Sequence, residues 1–285
     1  GVLVTFASLV AAFRTSHALS RYAEAAASMH KLSAAWFDAT STLVCFCRAS
    51  GAAADTVDAF QGTLVRLMSA LSAFCFDDLQ TCGRHSPGDH RRFEVLGAED
   101  FDRDVQRTIA GSSHRVECVF QMVQHLVVDA MGSGVLSIAP PILSRSFQEL
   151  GTGMMLYHEA KKLSCVPLPL AYVFVAYMIL IVEAWSVPIV MSQLTETPRA
   201  AFAYTFGITF ILWFMNGLAD ALDTPFRKQA NILDATLMQQ ELNEHLAQVL
   251  AQAKDATPSV LGIARGANAE SPAPSRVGTD LVEAG

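Results

Sequence analysis

Two stretches of this chain are too long and too apolar for a water-soluble core. Residues 166–192 read VPLPLAYVFVAYMILIVEAWSVPIVMS, with Glu183 as their only charge, and residues 200–218 carry no charge at all. Crossing the hydrocarbon of a bilayer takes about 20 largely apolar residues in helix. The short connection QLTETPR, which holds Pro198, joins the two into a transmembrane hairpin. Backbone polar groups in lipid are satisfied only inside a helix or a closed barrel, and the sequence lacks the alternating pattern of barrel strands. Composition agrees: 52% of the 285 residues are hydrophobic, 16% are charged, and the mean hydropathy is +0.32. The expected fold is therefore an all-α integral membrane protein.

The organisation follows from where apolar and polar runs alternate. Residues 1–13, GVLVTFASLVAAF, are too short to span alone and end at Arg14. They read as the end of an incomplete spanning helix whose start is missing, and Gly1 in place of Met points to a truncated N-terminus with another span lost. Residues 14–165 read as a helical cytosolic or stromal domain, with helices expected over 18–48, 55–75, 113–131 and 142–163 and a Gly- and Pro-bearing loop over 81–89. The hairpin occupies 166–219, a post-membrane segment with a polar helix over 234–254 occupies 220–254, and the Ala-, Ser- and Pro-rich residues 255–285 are expected to be a disordered tail. Arg14, Arg21, Lys161, Lys162, Arg227 and Lys228 flank the spans on one side, whereas the hairpin loop holds only Arg199. The positive-inside rule thus puts the middle and the tail on the same cytosolic or stromal face. The location is a multi-pass membrane protein; plastid thylakoid and plasma membrane both fit these residues.

Chemistry is excluded more readily than it is found. A net charge of -7 gives no basic excess for phosphates, so nucleic acid is not an expected partner. The sequence has no phosphate-binding glycine loop, GxSxG elbow or HExxH motif, and no enzyme activity, cofactor or metal is expected. Cys45, Cys47, Cys75, Cys82, Cys118 and Cys165 form no CxxC pair and read as small buried apolar residues. Asp77-Asp78 and His158-Glu159 read as ordinary solvated or hydrogen-bonded groups. Asn216 and Asp220, near the end of the last apolar run, are expected at the membrane interface. Glu183 stands out, because an ionisable residue inside a span usually faces a protein interior, a cavity or a partner. Its two readings are a role in permeation or assembly and a helix-capping residue near a kink at Pro188. Thr5, Leu9 and Phe13 recur at i, i+4 and i+8 on one helix face. Such a stripe is packing in a single helix, but in a symmetric ring it builds a hydrophobic constriction that gates by dewetting.

The run Phe13-Arg14-Thr15-Ser16, followed by Arg21-Tyr22-Ala23-Glu24, resembles the F-R-T-N and R-[YW]-x-E signature of the bestrophin family. Val166-Pro167-Leu168-Pro169 with Tyr172 is similar to that family's P-L-x-Y start of a hairpin, Asp223-Thr224-Pro225-Phe226 to its N-P-F, and Asn231-Ile232-Leu233 to the N-D-L of its prokaryotic and plant-like members. The resemblance implies a homopentameric passive anion channel for chloride or bicarbonate, with lipid, permeant anions and copies of itself as partners. It assigns the hydrophobic pore neck to Phe13, Leu9 and Thr5; Arg14 and the intramembrane Glu183 are the further candidates for a pore or assembly role. Thr5 is more polar than the family's aliphatic residue there, and Ser16 replaces its Asn. The calcium-activated members carry an acidic run after N-P-F; residues 227–232 here contain no carboxylate, so calcium activation is not implied. The alternative is a membrane-anchored helical scaffold that keeps the architecture and does not conduct.

Overall fold

Helix α1, Val2–Phe46, contains neither Gly nor Pro across its 45 residues, and nothing in that stretch interrupts it. At about 1.5 Å per residue it is roughly 67 Å long, about twice the thickness of a bilayer core, so one end lies well outside any membrane that the other enters. A computed structural model describes residues 2–81, 93–226 and 233–254. After α1 come α2 (Ala54–Thr81), α3 (Arg103–Gly111), α4 (Arg115–Gly132), α5 (Pro140–Cys165), α6 (Leu170–Leu194), α7 (Pro198–Leu222) and α8 (Ala235–Gln252). Among the described residues there is no strand.

These helices bury two separate cores. The larger is built by the second half of α1 from Ala25 onward with α2, α4, α5 and α8, around Trp36, Leu71, Phe76, Val123 and Tyr157. The smaller joins Ala7 and Ala11 of α1 to Leu180 of α6 and Leu212 of α7. Among the described residues four helices are long and apolar enough to cross a membrane, and their packing separates them. In α2, 72% of the most apolar stretch is buried by its own chain, against 22% in the helix starting at Val2, 22% in α6 and 11% in α7. The apolar residues of α2 are thus spent on the helical core, and only the other three present a bare apolar surface that lipid or other helices would cover.

Several boundaries differ from the sequence expectation, each for a local reason. Pro140 and Pro198, expected in loops, instead open α5 and α7 at a position where the missing N–H has no helical acceptor anyway. Thr197 caps α7, its Oγ1 accepting from Ala200 N at 3.4 Å. Pro167 and Pro169 delay α6 to Leu170. Helix α2 runs on to Thr81, past the expected end at 75, and α3 was not anticipated; its N-cap is Asp102. Of the cysteines, Cys47 and Cys75 are buried as expected, whereas Cys45 and Cys165 are exposed, because they sit on the outer faces of their helices. Cys82, most of the expected 81–89 loop, residues 227–232 and the 255–285 tail lie outside the described residues.

Two contacts position α1 and α8. Gly153 of α5 leaves room for the indole of Trp36, which is wholly buried and donates through Nε1 to the Leu150 carbonyl at 3.4 Å. Helix α8 is held on α2 by Gln239, which donates to the Ser69 carbonyl at 3.1 Å, and by Ser69 Oγ, which donates to Asn243 Oδ1 at 2.7 Å, while Gln239 and Asn243 also donate to the carbonyl of Glu94, outside α2, at 3.1 and 3.0 Å. These bonds satisfy polar groups that burial would otherwise leave unpaired.

Candidate functional site

The N-terminal third of α1 has two unlike faces. Ala7, Ala11, Arg14 and Ala18 are buried against α6 and α7. Thr5, Leu9 and Phe13 point away from the rest of the chain, with Leu9 51% and Phe13 63% exposed. The alanines let the three helices approach closely, as small residues do between spanning helices. The stripe is therefore exposed at a level where α6 and α7 back the same helix.

Arg14 faces the other way. It is 1% exposed, and its guanidinium donates through Nη1 to Asn216 Oδ1 and through Nη2 to Asp220 Oδ1. Tyr177 of α6 donates its hydroxyl to Asp220 Oδ2, and its ring centroid lies 5.4 Å from the Arg14 guanidinium carbon. Thr15 Oγ1 donates to the Met215 carbonyl at 3.2 Å. One turn and more further on, Arg21 donates through Nη2 to the Leu163 and Val166 carbonyls, both at 2.9 Å, and approaches Asp223 at 3.7 Å. Together these residues form a clamp that ties α1 to α7, α6 and the end of α5, and so sets which face of α1 carries Phe13 outward.

The clamp gives Asn216 and Asp220 a definite part: Asn216 is buried at 2% exposure and Asp220 is the ion-pair partner of Arg14. The signal was present in the sequence as a polar pair spaced i, i+4 on an apolar helix, opposite a lone arginine. Glu183 is buried at 0% exposure on the same α6 face as Ala176, Leu180 and Val187, away from the Thr5-Leu9-Phe13 stripe.

A second polar cluster lies in the larger core. Asp78 of α2 accepts from Tyr157 OH at 2.6 Å and pairs with Lys161 Nζ at 2.9 Å. Burial, then the hydrogen bond to Asp78, pushes the Tyr157 phenol up, and burial pushes the Cys75 thiol up as well, so neither is poised as a base or nucleophile. Burial by itself would lower the Lys161 ammonium, but the hydrogen bond and charge of Asp78 outweigh it and the pKa is raised. The trio is thus an ion pair that joins α2 to α5. Among the described residues no group of three or more His, Cys, Asp or Glu side chains is arranged to hold a metal ion.

The family model described as Bacterial/Fungal Bestrophin protein matches residues 2–248, which include the stripe, the clamp, the hairpin and most of α8. The chain belongs to the bestrophin family. Its fold is shared with the crystal structure of a bacterial bestrophin homologue from Klebsiella pneumoniae, at 17% identity and a TM-score of 0.72 over 88% of this chain and 86% of that one. A single-substitution variant of that homologue matches at 18% identity, with the same TM-score and coverage. A variant described only as a membrane protein matches at 20% identity, TM-score 0.69, over 90% of this chain and 86% of that one. No curated protein matches. The bestrophin resemblance expected from Phe13-Arg14-Thr15 onward is thereby established for the family and the fold, and the protein is an all-helical membrane protein.

Proposed function

We infer that the chain is a passive anion channel whose pore runs along the axis of a homopentamer. One observation carries the reading: α1 presents Thr5, Leu9 and Phe13 on an exposed outward face, while its opposite face is clamped to α6 and α7 through Arg14. An amphipathic reversal of this kind, with large apolar side chains bare and Arg14 buried, suits a helix whose outward face meets its own copies around an axis. Five such stripes make a dry, narrow neck that passes an anion only when it wets.

In this arrangement selectivity does not come from Arg14. Its charge is compensated by Asp220 and it is shielded from the stripe by the body of α1. Anions are favoured by partial positive charge at helix ends along the vestibule and by the neck's reluctance to strip water from small cations. The helical domain, built around α2 and the second half of α1, lies on the cytosolic or stromal side, and chloride and bicarbonate are the substrates to compare first.

The deciding experiment measures efflux from chloride- or bicarbonate-loaded liposomes carrying the full-length protein, its Leu9→Ala form and its Phe13→Ala form. Flux that rises in both variants and is indifferent to calcium supports the neck. A well-folded oligomer that passes no anion in any form favours the non-conducting scaffold instead.

A further inference from the structure

The seam between α1, α6 and α7 is built in layers. Its floor is the clamp of Arg14, Asn216, Asp220 and Tyr177. Above lies an apolar layer of Ala11, Leu180 and Leu212. Helices α6 and α7 pack as an antiparallel hairpin with Leu180 and Leu212 in one cluster, so the register puts Glu183, one turn beyond Leu180, at the height of Thr209, one turn before Leu212, with no hydrogen bond formed between them. Ala7 stands at the same height, seven residues before Arg14 as Thr209 is seven before Asn216.

This upper layer contains an anomaly. Glu183 is wholly buried, and neither of its carboxyl oxygens has a hydrogen-bond partner; the Thr209 hydroxyl is buried and likewise unpartnered. Among the described residues Arg14 is the one buried basic side chain, and it lies in the floor of the seam. On α1 the charged residue of the buried face is Arg14, on α7 the nearest charge is the half-buried Asp220 beyond Asn216, and on α6 the titratable neighbour is Tyr177, all at the floor of the seam. Glu196 and Arg199 belong to the hairpin turn at the opposite end. A carboxylate with neither counter-charge nor donor in a dry seam is far costlier than a carboxylic acid, which can give its proton to a hydroxyl oxygen.

We propose that Glu183 is a proton-binding site, with Thr209 as its hydrogen-bond partner, and that losing the proton loosens the seam behind the neck. The acid form donates its O–H to Thr209 Oγ1 and lets the seam stay closed. Ionisation releases one proton to solvent and leaves a charge that only water or a donor can stabilise, so α6 must separate from α1 and α7 to admit it. Helix α6 has a place to bend: Pro188 offers no N–H to the carbonyl four residues back, that of Ala184, directly after Glu183. The stripe Thr5, Leu9 and Phe13 lies on the far side of the same helix that Ala7 and Ala11 press into the seam. Once its backing is loosened, α1 retreats from the axis and the neck widens; this last link rests on the channel reading above.

Two readouts keep the site and the channel separate. Infrared spectroscopy of the membrane-reconstituted protein should show, at neutral pH, a protonated-carboxylic-acid carbonyl band that is missing in Glu183→Gln and moves in Thr209→Val. Anion flux should rise about fivefold or more between about pH 6 and about pH 9 in the wild type, within the range of measured coupling factors and raised carboxyl titrations. In Glu183→Gln, a neutral side chain of the same shape, flux should stay at its low-pH level throughout. Absence of the Glu183 band overturns the proton site, and so does a band indifferent to Thr209→Val for its partner. A pH response equal in wild type and Glu183→Gln, or a flat one in both, overturns the coupling to the neck. If no form conducts at any pH, the channel reading fails while the infrared band still decides the proton site.

Discussion

Replacing Gly153 by alanine tests the contact that holds α1 against α5. A Cβ at this position would lie 2.1 Å from Trp36 Nε1 and 2.4 Å from Cδ1, more than 1 Å inside any ordinary contact between such atoms. The indole cannot step aside, since Trp36 is 0% exposed and anchored to the Leu150 carbonyl. Either the helices part or the ring leaves its place and its hydrogen bond. Overpacking of this kind costs about 1–3 kcal/mol and the lost hydrogen bond about 1 kcal/mol more. Against this stands the gain of about 1 kcal/mol when alanine replaces glycine in a helix. The net expectation is destabilisation by about 1–3 kcal/mol, a fall of roughly 3–10 °C in Tm for a chain of this size. Gly151 supplies the control: it lies on the exposed side of the same helix with nothing within 4 Å of a built Cβ, so Gly151→Ala should stabilise by about 0.5–1 kcal/mol. Thermal unfolding in one detergent would compare both variants with Trp36→Phe and with Trp36→Phe combined with Gly153→Ala. The double variant should lose less than the sum of its parts, because the smaller ring relieves the clash. A Gly153→Ala protein as stable as Gly151→Ala would refute the close approach of α1 and α5.

Three further outcomes are expected. Arg14→Lys should destabilise by about 2 kcal/mol, since one ammonium cannot reach Asn216 and Asp220 as the guanidinium fork does; this is less than for a fully buried pair because the Asp220 side chain is 41% exposed, and an unchanged Tm would contradict the clamp. Lys161 holds its proton more tightly folded than unfolded, so its contribution to stability is complete below the ordinary lysine pKa of 10.5 and is lost as pH rises through its higher folded value. Stability measured on alkaline titration should therefore fall above about pH 10.5, and Lys161→Gln should flatten that slope while lowering stability near neutrality by about 1–3 kcal/mol. Thr5→Ile should make the neck drier and reduce resting anion leak from loaded liposomes; an unaltered leak would take Thr5 out of the constriction.

All the helices except α3 were legible from the residues. Apolar length marked α6 and α7, richness in Ala and Leu without Gly or Pro marked a long helix over residues 18–48, which the structure extends back to Val2 as α1, and spacings of three and four marked α2. The stripe Thr5, Leu9 and Phe13 was also legible, because i, i+4 and i+8 share a face whatever surrounds them. Prolines were harder to place: the same residue that breaks a helix interior opens a helix at its first turn, and only the path of the chain tells Pro140 and Pro198 apart from loop prolines. Hydropathy alone also fails on α2, which is apolar enough to span and is buried by its own domain.

Local pattern therefore determined which segments are helical, which are apolar enough for lipid, and which side chains share a face. Tertiary structure decided what those faces meet. Arg14 finds its partners on α7 some 200 residues away, Asp78 finds Tyr157 and Lys161 on α5, and Gly153 yields to Trp36. Glu183, one charge in an apolar run, becomes a buried carboxyl without a partner only because α1 and α7 close over it. Periodicity is a property of neighbours in the chain and can be read along it. Burial, pairing and charge compensation belong to neighbours in space, and they exist only once the helices have packed.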